Sequence, residues 1–297
     1  MSPTPVDRIV ITGATGFIGR ALAARLPGFT PLSLAGERWR DVLVATDLRG
    51  ATVIHLGARV HDPHGREEAF RADNAVKTQA LAQAAAAAGA RRFVLASSVK
   101  VFGEESPPGR AFDERDPPRP EDAYARSKLE AERAVLAAGI GHAIVRIPLV
   151  WGPGVRGNFR ALLSLAASGV PLPFAAIDNR RSLVHVEDAA DALALAATHP
   201  EAVGHAWSAA PADPVSTPGL VAAIRAAMAM PPRLFAIPVG LLEAAARLAG
   251  RGEQVLRLTR SLEADGLPLR QVLGWRPTRS LEGDLAATVD AWRQERP

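Results

Sequence analysis

The sequence predicts a doubly wound α/β fold, a parallel sheet covered on both faces by helices, with a smaller C-terminal lobe over the sheet's carboxyl edge. Three observations carry this. Short apolar runs alternate with helix-period segments through the first half. A glycine-rich turn joins the first run to the first helix. Beyond about residue 150 the texture changes to proline- and glycine-rich connections. The expected division is therefore 1–150 for the sheet domain and 151–297 for the smaller lobe.

"RIVIT" is an apolar run bounded by glycine, and "GATGFIGRALAARL" turns tightly into a helix. "TPLSL" reads as a second strand and "RWRDVLVATDL" as a helix. "ATVIHLGA" is the next buried strand. So little chain separates "TPLSL" from "VIHLG" that one strand of the sheet is expected to be shortened or missing. "EEAFRADNAVKTQALAQAAAAAG" is one long alanine-rich helix capped at Gly89. "RRFVLASS" is a strand, "AYARSKLEAERAVLAAG" a helix and "HAIVRIPLV" a strand. In the second half, helices are expected near 158–168, 187–198, 217–229 and 238–250.

Composition removes several function classes. The chain has no cysteine, so disulfides, thiolate metal sites and cysteine nucleophiles are excluded. "HDPHG", with His61 and His64, reads as a solvated loop rather than a metal site, because no acidic cluster follows it. All but three of the 35 basic residues are arginine, which raises the pI to about 10.2 while the net charge is only +4. Without a basic run this argues against nucleic-acid binding. No apolar run suits a membrane span and the N-terminus carries no signal-peptide pattern, so the expected location is the cytoplasm.

Gly13, Gly16 and Gly19 in "TGATGFIG" sit between strand and helix. There the backbone can turn tightly and approach a pyrophosphate, and the helix N-terminus offers free N–H groups. This predicts a Rossmann-type dinucleotide site. After the second strand, "AGERWR" places Glu37 beside Arg38. A carboxylate there favours a ribose 2′-hydroxyl and an arginine favours a 2′-phosphate, so NAD and NADP both stay open.

The chain's one tyrosine, Tyr124, stands four residues before Lys128, one of three lysines. That spacing puts both on one helix face. An ammonium beside a phenol favours the phenolate and is expected to lower its pKa. With a serine from a neighbouring strand end, supplied by "LASSVKVFG", the pair can shuttle a proton during alcohol–carbonyl interconversion at a nicotinamide.

With those motifs in hand, the chain resembles the extended short-chain dehydrogenase/reductases, the NAD-dependent epimerase/dehydratase group. The landmarks run nearly end to end: "TGATGFIG", "VIHLGARVH", "DNAVKTQALAQAA", "SSVKVFGE", "YARSK", "RIPLVWGPGVRGNF", "RRSLVHVEDAADAL" and "LGWRPTRSLEGDL". The resemblance implies Tyr124 as acid/base, Lys128 as its electrostatic partner and ribose ligand, and Ser98 as the hydroxyl orienting the sugar oxygen. It implies cofactor contacts from Gly13, Gly16, Phe17, Ile18, Gly19, Arg38, Leu56, Gly57, Ala58, Asn74, Ser97 and Pro148. Arg181 and Asn158 fall where the family contacts the substrate diphosphate, and an arginine fork suits phosphate oxygens. Lys100 stays open between a third active-site cation and a solvated loop lysine.

Two departures shape the expected substrate. Leu149 replaces a sugar-contacting asparagine and Trp151 a tyrosine, so the sugar pocket is expected to be less polar, suited to a deoxy or N-acetylated hexose. The combination resembles reductases of UDP-4-keto-6-deoxy-N-acetylhexosamines in bacterial polysaccharide synthesis. The expected activity is thus hydride transfer at C4 of a UDP-hexose, as 4-epimerase or 4-ketoreductase. A 4,6-dehydratase is disfavoured because "SVK" lacks an acidic pair. A non-catalytic NAD(P)-binding sensor or assembly protein on the same fold is the alternative. The resemblance also implies a homodimer through the helices carrying "DNAVKTQALAQAA" and "YARSKLEAERAVLAA".

Overall fold

The computed structural model describes residues 8–60, 62 and 65–295; His61 and His64 lie outside them. The chain runs β1 (Ile9–Thr12), α1 (Phe17–Arg25), β2 (Thr30–Leu32), α2 (Trp39–Ala45), β3 (Thr52–His55), α3 (Glu67–Phe70), α4 (Lys77–Ala87), β4 (Arg92–Ser98), α5 (Ala123–Ala137), β5 (His142–Ile147) and β6 (Leu149–Trp151). It continues with α6 (Gly157–Ala167), β7 (Leu183–His185), α7 (Val186–Thr198), β8 (His205–Ser208), α8 (Thr217–Ala227), α9 (Val239–Leu248), α10 (Gly252–Thr259), α11 (Leu267–Val272) and α12 (Leu281–Gln294).

Among the described residues six strands form a wholly parallel sheet in the order β2-β1-β3-β4-β5-β8. Parallel strands are buried on both faces, so sequence neighbours serve opposite cores. Ile11, Ile54, Val94 and Val145 pack with Leu22, Leu193 and Leu269 of α1, α7 and α11. Val10, Val53, Phe93 and Ile144 face the other way, onto Leu43, Leu81 and Val135 of α2, α4 and α5. Burying each such side chain is worth about 1.5–3 kcal/mol, which makes the two apolar layers the main support of the sheet.

The thin stretch after β2 has the expected consequence. Sheets of the 3-2-1-4-5-6 order carry two strands outside the first, whereas here, among the described residues, only the three-residue β2 lies there. Between Leu32 and Thr52 the chain forms α2 and then crosses to the other side of β1.

Two expected elements are interrupted, each for a local reason. The long alanine-rich helix holds a π-helical stretch, Arg71–Val76, between α3 and α4, a widening common at functional sites. The strand "HAIVRIPLV" breaks at Pro148, which has no N–H for the ladder. β5 ends at Ile147 in the main sheet, and β6 pairs with β7 in a separate two-stranded sheet. A third core, with Trp151, Phe159, Leu163, Val221, Ile224, Val289 and Trp292, lies beyond that break, while β8 and α7 return to the main sheet. Among the described residues no helix is long and apolar enough to cross a membrane.

Candidate active site

The glycine loop opens the site. Gly13 has φ +71, and a Cβ there would stand 2.9 Å from Gly57 N and 3.0 Å from Leu56 C. Only a residue without a side chain lets the turn after β1 touch the turn after β3. Gly16 N–H bonds Gly13 O at 2.9 Å, and Phe17 and Ile18 begin α1. Gly19 lies so close beneath the loop that a Cβ would overlap the Gly13 carbonyl oxygen. The resulting cradle, closed by the free first-turn amides of α1, fits a dinucleotide pyrophosphate.

Leu56, Gly57 and Ala58 flank this cradle. Leu56 N–H donates to Thr12 O at 3.2 Å and Gly57 N–H to Thr12 Oγ1 at 3.2 Å. A buried chain continues from there. Thr78 Oγ1 donates to Asn74 O at 2.5 Å, so it accepts from His55 Nε2 at 2.9 Å, and His55 Nδ1 accepts from Thr12 Oγ1 at 2.5 Å. Both ring nitrogens are thereby spent. Burial, and then the charge of Lys128, hold His55 neutral by pushing its pKa down to about 3.

Asn74 is buried in the π-helical stretch, where it works as a clamp. Its Oδ1 accepts from Arg59 N at 2.6 Å, and its Nδ2 donates to Arg59 O at 3.0 Å and Ser127 Oγ at 2.9 Å. Both amide hydrogens are used in joining the turn after β3 to α5. Arg38 stands exposed before α2 with its guanidinium on Asp41, and Glu37 is exposed beside it.

α5 carries Tyr124 and Lys128. Asp122 caps it, accepting from Ala125 N at 2.7 Å. Tyr124 follows in the first turn, half-buried with Phe70 edge-on to its ring, and its phenol hydrogen-bonds the Ser98 side chain at the end of β4. Lys128, 3% exposed, lies one turn on. The structure thus brings Ser98, Tyr124 and Lys128 together. The expected lowering of the phenol pKa is not what the geometry gives. Burial, joined by the Asp122 carboxylate, pushes Tyr124 up to about 12 against the Ser98 bond. Lys128 is itself pushed down to about 8 by burial, with the Glu132 charge opposing. At neutral pH the phenol therefore holds its proton.

Other residues resolve differently. Ser97 donates to Glu132 Oε1 at 2.5 Å, so its hydroxyl is committed beneath α5. Lys100 is neither solvated nor free: its Nζ pairs with Glu104 Oε1 at 2.6 Å and with Asp122. Burial works against the charged form of Asp122, yet the Lys100 ammonium keeps its carboxyl below the usual range. Pro148 is buried, and Leu149, in β6, packs against the third core. Asn158 is exposed in the first turn of α6. Arg181 Nη1 donates to Arg257 O at 2.7 Å and Arg260 O at 3.1 Å at the end of α10, and burial lowers its pKa, with Arg257 adding to the effect and Glu104 opposing it.

The family description "NAD dependent epimerase/dehydratase family" matches residues 9–210. The chain belongs to this family. It is 31% identical to a UDP-glucose 4-epimerase from Vibrio cholerae, over 96% of this chain and 95% of that protein. It is also 34% identical to a dTDP-4-dehydrorhamnose reductase from Mycobacterium tuberculosis, over 63% of this chain and 64% of that one. The structure of MoeE5 in complex with UDP-glucose and NAD superposes with TM-score 0.74 at 25% identity, over 97% of this chain and 99% of that one. As a family member the protein is an NAD(P)-dependent enzyme, and the glycine cradle of α1 is consistent with that cofactor.

Sequence reading missed Glu132, Arg146, Asp122, Glu104 and Arg257. A signal existed for Glu132, since Tyr124, Lys128 and Glu132 are spaced by four along one helix face. Asp122 and Glu104 also stand close in sequence, two residues before Tyr124 and four after Lys100, whereas Arg146 and Arg257 meet the site across separations that no local pattern encodes.

Proposed function

We propose that this enzyme transfers hydride between C4 of a UDP-hexose and NAD(P), as a 4-epimerase or 4-ketoreductase in cell-surface sugar synthesis in the cytoplasm. The observation that carries the reading is the Ser98–Tyr124–Lys128 group at the carboxyl edge of the sheet, beside the glycine cradle. The UDP-glucose named for MoeE5 and the epimerase from Vibrio cholerae support the substrate class. Bound nicotinamide supplies the hydride donor or acceptor. Tyr124 gives its phenolic proton to the ketone oxygen as reduction proceeds and takes it back in the reverse direction. Ser98 orients that oxygen, and Lys128 stabilises the phenolate left behind. Arg181, anchored through Nη1, offers its other donors to the substrate diphosphate. Arg257 lies near, with a buried Nε that has no partner among the described residues. Leu149 makes the sugar pocket less polar and suits a deoxy or N-acetylated hexose. The sheet domain of 1–150, completed by α7 and β8 from the later half, would hold the cofactor, the remainder of 151–297 the nucleotide sugar, and α4 and α5 the contact of a homodimer.

Denaturing fresh protein and weighing the released nucleotide separates the two reactions. Stoichiometric NAD marks an epimerase, whereas an empty site that takes up NADPH or NADH marks a ketoreductase. Tyr124→Phe should lower turnover of UDP-hexoses by about 10²–10⁴-fold, the range for loss of a general acid, while cofactor binding stays intact. A Tyr124→Phe variant that turns over at the wild-type rate would overturn the assignment.

A further inference from the structure

A lysine sealed from water tends to lose its proton unless an anion opposes the desolvation. Lys128 is 3% exposed, and His55 across from it offers no charge because both of its nitrogens are bound to threonines. Among the described residues, the anion whose charge acts on Lys128 is Glu132, one turn along α5 and itself 3% exposed. Glu132 cannot swing. Its Oε1 accepts from Ser97 Oγ at 2.5 Å and Arg146 Nε at 3.1 Å, and its Oε2 from Arg146 Nη2 at 2.8 Å. Arg146 is held in turn, with its guanidinium 4.6 Å from the centre of the Phe102 ring. Tyr124, Lys128 and Glu132 thus form one stripe of α5, with Arg146 of β5 behind it.

We propose that Glu132 is a positioning residue of the reaction: its carboxylate, locked by Arg146 and Ser97, keeps Lys128 an ammonium and fixes that ammonium beside Tyr124. Sharing the carboxylate with Arg146 is part of the device. A free glutamate would collapse onto Lys128 and draw it from the phenol, whereas one held by a bidentate guanidinium acts on Lys128 as a fixed charge. The groups in play can be named. His55 from β3 faces Lys128, Ser97 from β4 and Arg146 from β5 face Glu132, and Glu114 faces Arg146, with Asp113 and Asp265 near that carboxyl. The role rests on Lys128 serving Tyr124, as proposed above.

The chain's three lysines make the test direct, since protein grown with carbon-labelled lysine shows three side-chain signals by NMR, and Lys128→Met identifies one of them. In the wild type that signal should titrate near pH 8. In Glu132→Gln its midpoint should fall by about one unit or more, with the Lys77 and Lys100 signals unmoved. The alkaline limb of kcat/KM for a UDP-hexose should fall to lower pH by the same amount, and Glu132→Asp should restore much of it. Glu132→Gln leaves Arg146 buried without its partner and can fail to fold. The double variant Glu132→Gln/Arg146→Gln removes both charges and should still titrate below the wild type. A folded variant of either kind whose Lys128 midpoint is unchanged overturns the proposal. A shifted midpoint in a protein whose wild type turns over no UDP-hexose upholds the hold of Glu132 on Lys128 and overturns the substrate reading instead.

Discussion

Gly19→Ala tests the glycine cradle as the proposed site of cofactor binding. The added methyl would overlap the Gly13 carbonyl oxygen and stand 2.8 Å from both Cα and C of Ala14. All three are backbone atoms that cannot rotate aside, so the first turn of α1 must back away from the loop. Overpacking of this kind costs about 1–3 kcal/mol. At about 2–4 °C per kcal/mol for a chain of this size, Tm should fall by roughly 2–12 °C. Binding should suffer beyond stability, because the amides that receive the pyrophosphate retreat with the helix. Each backbone hydrogen bond to the pyrophosphate lost in that retreat costs about 1.5–3 kcal/mol, or roughly tenfold or more in affinity. Calorimetric titration with NAD, NADH and NADPH reads the binding and thermal unfolding reads the stability. Gly28→Ala is the control. Gly28 has φ +84 with no heavy atom of the described residues within 4 Å of its Cβ position, so alanine there should cost about 1–2 kcal/mol of left-handed backbone strain and leave binding alone. If Gly19→Ala bound the nicotinamide nucleotides as tightly as wild type, the cradle would not be the phosphate site and the reasoning would fail.

Other outcomes follow from the buried polar groups. Lys128 titrates near 8 in the folded chain against 10.5 in the unfolded one, so the unfolded state binds more protons between those values. Stability should therefore rise with pH across that window, by about 3 kcal/mol at most. Tyr124, lifted from 10.0 to about 12, begins to act the opposite way only above pH 10. Urea unfolding between pH 8 and pH 10 should show this gain in the wild type and its absence in Lys128→Met. Asn179, 2% exposed, accepts from Thr217 N at 2.8 Å and donates to Leu258 O at 3.1 Å and Arg260 O at 3.0 Å. Asn179→Ala should cost about 1–3 kcal/mol for the groups left unpaired. Since Arg181 binds the same stretch of carbonyls, the variant should also raise KM for the nucleotide sugar more than it lowers kcat.

Much of this protein was determined by sequence alone, because the information was local. Alternating apolar runs and helix periods specify the parallel sheet, and the spacing of Gly13, Gly16 and Gly19 specifies the turn into α1. The four-residue step from Tyr124 to Lys128 specifies their shared face. Even the thin stretch between β2 and β3 was visible as too little chain for another strand. Only the tertiary structure decided what surrounds those groups. Ser97 bonds Glu132, Lys100 lies between Glu104 and Asp122, and Arg181 rests on the end of α10. Glu104 stands only four residues beyond Lys100, but the other partners come from separate elements, brought together by packing. The direction in which Tyr124 shifts was decided there too. Sequence places a lysine beside the phenol, but the balance among desolvation, Asp122 and Ser98 depends on how deeply the fold encloses the site and which charges it seals in with it.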